Sequence, residues 1–111
     1  DWLAASDLLI SKAGPGTLAE AACLGVPVLV TGYIPGQEEG NIAWIEQNGA
    51  GAYVRKPAAV AEFVTDWLQP GNPTLARMAA SAAEVARPQA ALEIAHQALA
   101  LWHNANKVLA A

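Results

Sequence analysis

A chain of 111 residues suits a single domain, and 14% charged against 54% hydrophobic residues leaves it short of charge, so either the fold is very compact or part of its surface meets another domain. The net charge of −4 and the scatter of the six basic residues (Lys12, Arg55, Lys56, Arg77, Arg87, Lys107) exclude a nucleic-acid-binding patch. The single cysteine, Cys23, excludes an internal disulfide. Its setting in Ala21-Ala22-Cys23-Leu24 reads as a buried apolar thiol, and cysteine usage fits the cytoplasm. Neither a secretory leader nor an apolar run of ~20 residues is visible.

Asp1 to Ser6 read as the tail of a helix already under way, so the chain is expected to begin inside a larger fold. Leu8 to Ser11 is a short apolar strand that runs into the turn Ala13-Gly14-Pro15-Gly16. A helix over Thr17 to Leu24 follows and is closed by Gly25. Pro27 to Thr31 lacks polar alternation, the mark of a strand buried on both faces of a parallel sheet. After the loop Gly32 to Glu39, a helix over Gly40 to Gln47 stops at Asn48-Gly49. The segment Gly51 to Val54 reads as a third strand, centred on Ala52-Tyr53-Val54. Pro57 opens a helix to Trp67 with Val60, Phe63, Val64, Trp67 and Leu68 on one face. Asn72-Pro73 starts another, with Leu75, Met78, Ala79, Ala82 and Val85 together, and Pro88 opens the last. Strand and helix alternate three times before helices accumulate. The fold class is therefore α/β, with about three strands forming half of a doubly wound, Rossmann-like parallel sheet in the order first, second, third.

The turn carries the first candidate site. The opening N–H groups of a helix lack internal partners and stand at the positive end of its dipole. A diphosphate is expected at Gly14, Pro15, Gly16, Thr17 and Leu18, meeting the N–H groups of Gly16, Thr17 and Leu18 and the Thr17 hydroxyl. The phosphate-loop pattern GxxxxGK[ST] is absent. Gly14, Gly16 and Ala19 formally fit a dinucleotide fingerprint, yet the next strand ends Val30-Thr31-Gly32 without the acidic residue that would hold a ribose. Glu20 has two readings. It closes a capping box with Thr17, or its carboxylate holds two ribose hydroxyls.

The loop Tyr33-Ile34-Pro35-Gly36-Gln37-Glu38-Glu39-Gly40-Asn41 follows the second strand, on the rim where open parallel sheets bind ligands. Two glycines and a proline fix its shape while it offers an amide and carboxylates. The stretch from Lys12 to Ala21, Gly25-Val26-Pro27, Tyr33 to Glu38, Gly40-Asn41 and Asn48 to Gly51 together strongly resemble the monogalactosyldiacylglycerol synthases. These belong to the GT-B-fold group that also contains the N-acetylglucosaminyl transferase forming lipid II. The likeness covers about Ala5 to Pro57; beyond it only the helical layout agrees.

The resemblance implies the C-terminal, nucleotide-sugar-binding part of an inverting glycosyltransferase, spanning 1–111, with the N-terminal acceptor domain and its catalytic base outside this chain. It implies a UDP-hexose donor, most simply UDP-galactose, and diacylglycerol as acceptor. It implies the diphosphate site at the glycine turn, the ribose contact at Glu20, and donor-sugar contacts at Gln37 and Glu38. No cofactor, metal cluster or nucleic-acid partner is expected, and the whole enzyme is expected to be cytoplasmic and peripheral at a membrane surface. A related UDP-GlcNAc or UDP-glucose transferase with another acceptor, and a non-catalytic binding module, are the alternatives.

His96 and His103 fall with Gln89, Glu93 and Lys107 on the polar stripe of the last helix and read as a solvated face. Trp44 and Trp67 read as packing residues. The last helix is apolar along both Ala91-Ile94-Ala98-Leu101-Ala105 and Leu92-Ala95-Leu99-Trp102, which suggests contact with more than one layer. With the first strand left as a sheet edge, self-association as a dimer is expected.

Overall fold

The computed structural model describes residues 2–109, with side chains to residue 106. Leu3–Ala5 forms one 3-10 turn, so the opening segment is helical but short. The elements then run β1 (Leu9–Lys12), α1 (Pro15–Cys23), β2 (Val28–Gly32), α2 (Glu39–Gln47), β3 (Gly51–Tyr53), α3 (Pro57–Trp67), α4 (Thr74–Val85) and α5 (Ala90–Leu109). The three strands form one parallel sheet in the order β1-β2-β3, as the chain order of its apolar runs implies.

β2 is the centre. Val28, Leu29 and Val30 are all essentially inaccessible, because β1 and β3 pair with both edges of the strand and other elements cover both faces. Leu18, Ala21, Val26, Ile45, Ala50 and Ala82 complete the core from α1, α2, α4 and the segments leading into β2 and β3. α1 packs on α2 and α4, and α2 packs on β3.

Two helices end by the same device. In α1 the left-handed Gly25 donates to Ala22 and Val26 donates to Ala21; in α2 Gly49 donates to Glu46 and Ala50 to Ile45. Each is a Schellman closure, which satisfies the last carbonyls and turns the chain straight into the next strand. Gly25 and Asn48-Gly49 therefore stop their helices as their sequence context implies.

Three helix starts differ from the sequence reading, each with a physical reason. α1 starts at Pro15, two residues before Thr17, since proline's fixed φ and missing N–H suit the first helical position. Gly14 is then the N-cap and Thr17 lies in the first turn, so there is no capping box between Thr17 and Glu20. α4 waits until Thr74, whose N–H is held by the Asn72 side chain at 2.9 Å. α5 starts at Ala90, after a turn in which Ala90 donates to Arg87.

Cys23 is exposed, not buried. Ala21 and Ala22 occupy the core-facing positions, and Cys23 turns toward an apolar cleft of about 320 Å³ beside α1. The two apolar stripes of α5 are also uncovered. Residues 91–106 are exposed throughout, including Ile94, Leu101 and Trp102 at 66%, 71% and 61%. No other described element of this chain lies along them.

The closest approach in the sheet is at Gly51. A Cβ there would stand 2.0 Å from the carbonyl oxygen of Val28, its register partner. Gly51→Ala must therefore force β3 off β2 and is expected to cost about 3 kcal/mol, the upper range for overpacking, and to lower Tm by roughly 10 °C or more. Gly40→Ala, where an added Cβ meets nothing within 4 Å, is the control and should leave the thermal midpoint unchanged or raise it.

Candidate functional site

The carboxyl ends of β1 and β2 form one rim. The parallel ladder between them is irregular at this end: Ser11 pairs with Val30 but Lys12 pairs with Gly32. Thr31 is left over, as in a bulge, a device that commonly re-aims a side chain where pairing ends. Its hydroxyl reaches the Ser11 carbonyl at 3.4 Å, and Ala13 donates to Gly32 at 2.8 Å. Lys12 thereby leaves the sheet beside the start of α1.

The glycine turn is tightly folded. Gly14 donates to Lys12 at 2.9 Å, and Leu18 donates to Gly14 at 3.0 Å. Leu18 is also buried, so its N–H serves the helix and not the open face. Pro15 has no N–H. The two outward donors are thus the N–H groups of Gly16 and Thr17, neither of which has an acceptor among the described residues. Gly16 is exposed, and a Cβ on it would meet nothing within 4 Å. The approach to these donors is open.

The second loop is built around Glu38. Ile34 accepts from Gln37 at 3.2 Å and Glu38 at 3.0 Å across Pro35 and Gly36, with Gly36 at φ 78°. That is the pattern of a type II turn, which needs glycine at its third position. The Glu38 carboxylate folds back: one oxygen accepts from the Ile34 N–H at 2.8 Å, and the other accepts from Lys12 Nζ at 2.6 Å. Its side chain is 7% exposed while that of Lys12 is 57% exposed. Glu39 accepts from the Gly36 N–H at 2.7 Å, and Asn41 donates to the Ala13 carbonyl at 2.8 Å. Two bonds, Lys12–Glu38 and Asn41–Ala13, therefore tie the loop to the glycine turn across 26 and 28 residues of sequence.

Of the residues singled out by sequence, Gly14, Pro15, Gly16, Thr17 and Leu18 stand together at the start of α1. Glu20 lies further along α1, exposed, with its carbonyl accepting from the Leu24 N–H but its side chain without a hydrogen-bond partner among the described residues. Gln37 is exposed beside the turn, whereas Glu38 is buried with both oxygens engaged. The sequence reading gave no role to Lys12 or Asn41. A lone lysine directly before a glycine turn that opens a helix, in a chain with six basic residues, is the available signal for the first. The apolar cleft beside α1, lined by Leu18, Ala22, Cys23, Trp44 and Ala90 among others, offers few polar groups. Among the described residues no cluster of three His, Cys, Asp or Glu side chains is placed to hold a metal, and no helix is long and apolar enough to cross a membrane.

The Lys12 ammonium, then the Ile34 N–H, hold the Glu38 carboxyl below its ordinary value of 4.5. A carboxyl whose folded value is depressed stabilises the fold above the ordinary value, and that contribution is lost as pH falls through the folded value. Acid unfolding should therefore steepen below pH 4.5, and Glu38→Gln should flatten that part of the profile. Urea titrations of both proteins across this window check it; parallel profiles would remove Glu38 as a source of acid sensitivity.

Residues 1–99 match the glycosyltransferase family 28 C-terminal domain. The chain is 42% identical over 93 residues to monogalactosyldiacylglycerol synthase 3, chloroplastic, of Arabidopsis thaliana, covering 84% of this chain and 20% of that protein. It is 42% identical over 96 residues to monogalactosyldiacylglycerol synthase, chloroplastic, of Spinacia oleracea, covering 86% and 18%. A probable monogalactosyldiacylglycerol synthase 3, chloroplastic, of Oryza sativa subsp. japonica is 41% identical over 93 residues, covering 84% and 18%. The chain thus spans about a fifth of the length of these relatives.

Proposed function

This chain belongs to the glycosyltransferase family 28 C-terminal domain family, and from that membership we propose that it binds the UDP-sugar donor of a hexosyltransferase. The observation that carries the reading is the pair of unspent N–H groups at Gly16 and Thr17, open to solvent at the positive end of α1. A diphosphate accepts from both and from the Thr17 hydroxyl. Gly14 and Pro15 shape the turn, and Leu18 anchors it in the core.

Glu20 takes the ribose. Its carboxylate is exposed, unpartnered and on the helix that holds the phosphates, and it is free of any capping role. Gln37 and Glu38 face the hexose. The Gln37 side-chain amide has no hydrogen-bond partner among the described residues, and Glu38 has lone pairs left beyond its two bonds. The names of the relatives favour galactose as the sugar and diacylglycerol as the acceptor. In the transfer, the acceptor hydroxyl oxygen bonds to the anomeric carbon as the bond to the diphosphate breaks. A base outside this chain takes the hydroxyl proton. Negative charge then grows on the leaving diphosphate, where N–H donors fixed in advance stabilise it most. Such an enzyme works as a peripheral protein at a membrane surface, and the cytoplasmic face is the setting we assign to it.

Gly16→Val and Glu20→Ala test the site together, by UDP titration calorimetry and a thermal melt. Because an added Cβ at Gly16 meets nothing within 4 Å, Gly16→Val should keep its melting point within about 4 °C yet lose UDP binding. Equal loss of fold and binding would reduce the turn to a structural element. Glu20→Ala should cost ~1.5–3 kcal/mol of UDP affinity, with a deoxyribose analogue losing little more in the variant. Equal binding of UDP and the deoxy analogue by the unaltered protein would remove Glu20 from the ribose.

We also expect the 111-residue chain to dimerise when isolated. β1 is an edge of the sheet, and α5 exposes Leu92, Ile94, Leu99, Leu101 and Trp102. Sedimentation at low micromolar concentration should show a dimer; a monomer with a sharp melt would count against it.

A further inference from the structure

The Lys12–Glu38 pair lies between the two halves of the site, and its geometry is asymmetric. Glu38 is buried and anchored to the Ile34 N–H, whereas Lys12 is more than half exposed. The Lys12 ammonium lies 3.0 Å from the point where a Cβ on Gly14 would stand, and the Thr17 hydroxyl lies 3.7 Å from that same point. An ammonium with three donors spends one on Glu38 and has no other hydrogen-bond partner among the described residues. It therefore sits at the mouth of the glycine turn, beside the open N–H groups, with donors to spare. An unpaired carboxylate this close to an anion site would repel the ligand, so the cation is also what makes Glu38 tolerable there.

We propose that Lys12 is a shared cation: on donor binding it keeps Glu38 and takes the diphosphate as well, so that phosphate occupancy positions the loop carrying Gln37. The inference rests on the donor-binding reading above and deepens it. The chain of contacts is continuous. The diphosphate meets Lys12 Nζ, Lys12 holds Glu38, and Glu38 holds the Ile34 N–H. The Ile34 carbonyl in turn holds the N–H of Gln37. Gly14 belongs to the same device. Its missing side chain leaves the space that the ammonium occupies, since a Cβ would crowd Nζ at 3.0 Å.

The test uses the intact protein titrated with UDP and with UMP, in the unaltered form and in three variants. Lys12→Met should weaken UDP binding roughly 10- to 100-fold, the effect of one lost charge-assisted hydrogen bond, and UMP binding far less. Gly14→Ala keeps every charge but displaces the ammonium, so it should erode the preference for UDP over UMP in the same direction. The double variant Lys12→Met/Glu38→Gln should not restore that preference. Hydrogen exchange at saturating UDP gives the second readout. Amides from Ile34 to Gln37 should gain protection in the unaltered protein and fail to gain it in Lys12→Met. Equal loss of UDP and UMP affinity, or recovery in the double variant, would show that Lys12 only balances Glu38 and would overturn the proposal. If the unaltered protein binds UDP no better than UMP, the donor-site reading falls with it, an outcome the variants are not needed to recognise.

Discussion

A strand buried on both faces is the constraint from which the rest of this structure follows. Val28, Leu29 and Val30 offer no polar face, so β2 needs a strand on each edge and cover above and below. Parallel neighbours require crossover helices, and α1 and α2 supply them. Parallel pairing also brings the carboxyl ends of all three strands to one rim. The glycine turn and the Glu38 loop are there because each is the first stretch of chain after a strand on that rim. Their juxtaposition is a product of topology, and the side-chain bonds fix its fine geometry.

The Lys12–Glu38 pair sets that fine geometry more than it stabilises the chain. With the lysine more than half exposed, solvent screens the attraction, and such pairs contribute little to folding. What the pair does is local. It fixes where a cation stands relative to the start of α1, and through the Glu38 carboxylate, which accepts from the Ile34 N–H, it fixes the backbone at the start of the loop. The register shift at Ser11/Lys12 serves the same end: it leaves Thr31 over and pairs Lys12 with Gly32 at the last position of β1, beside the start of α1.

Much of this was legible in the residues. The strand order, the Schellman stops at Gly25 and Gly49 and the start of α3 at Pro57 all follow from apolar runs and from glycine and proline chemistry. The start of α1 was misplaced because Thr17-x-x-Glu20 imitates a capping box, while Pro15 two residues earlier had the stronger claim on the first helical position. Cys23 was misread for a different reason. Composition says that Ala21-Ala22-Cys23 is a small apolar stretch, but only helical phase relative to the core decides which of three neighbours faces out. The link from Lys12 to Glu38 was out of reach, since nothing in a spacing of 26 residues announces a contact at 2.6 Å. The two loops could be placed on one rim, but not bonded to each other. α5 shows a further limit. Its two apolar stripes fix what the helix would bury and not what buries it.

The glycines make the same point in a sharper form. Gly51 is glycine because the Val28 carbonyl fills the place of its side chain. Gly25 and Gly49 are glycine because their backbone is left-handed. Gly14 has an ordinary φ of −69°, and what crowds it is a lysine head group, not the backbone. Gly16 is neither strained nor crowded, and nothing in the folded chain asks for it. Alanine there would be a better helix residue and would fit. A glycine that packing does not require, beside two N–H groups with no acceptor among the described residues, fits the proposed approach of a ligand to this turn. Under the proposed function, the open space over Gly16 is where the diphosphate approaches the backbone. Gly32 and Gly40 are equally uncrowded, and it is the neighbouring N–H pair that gives the openness at Gly16 a use under the proposed donor binding.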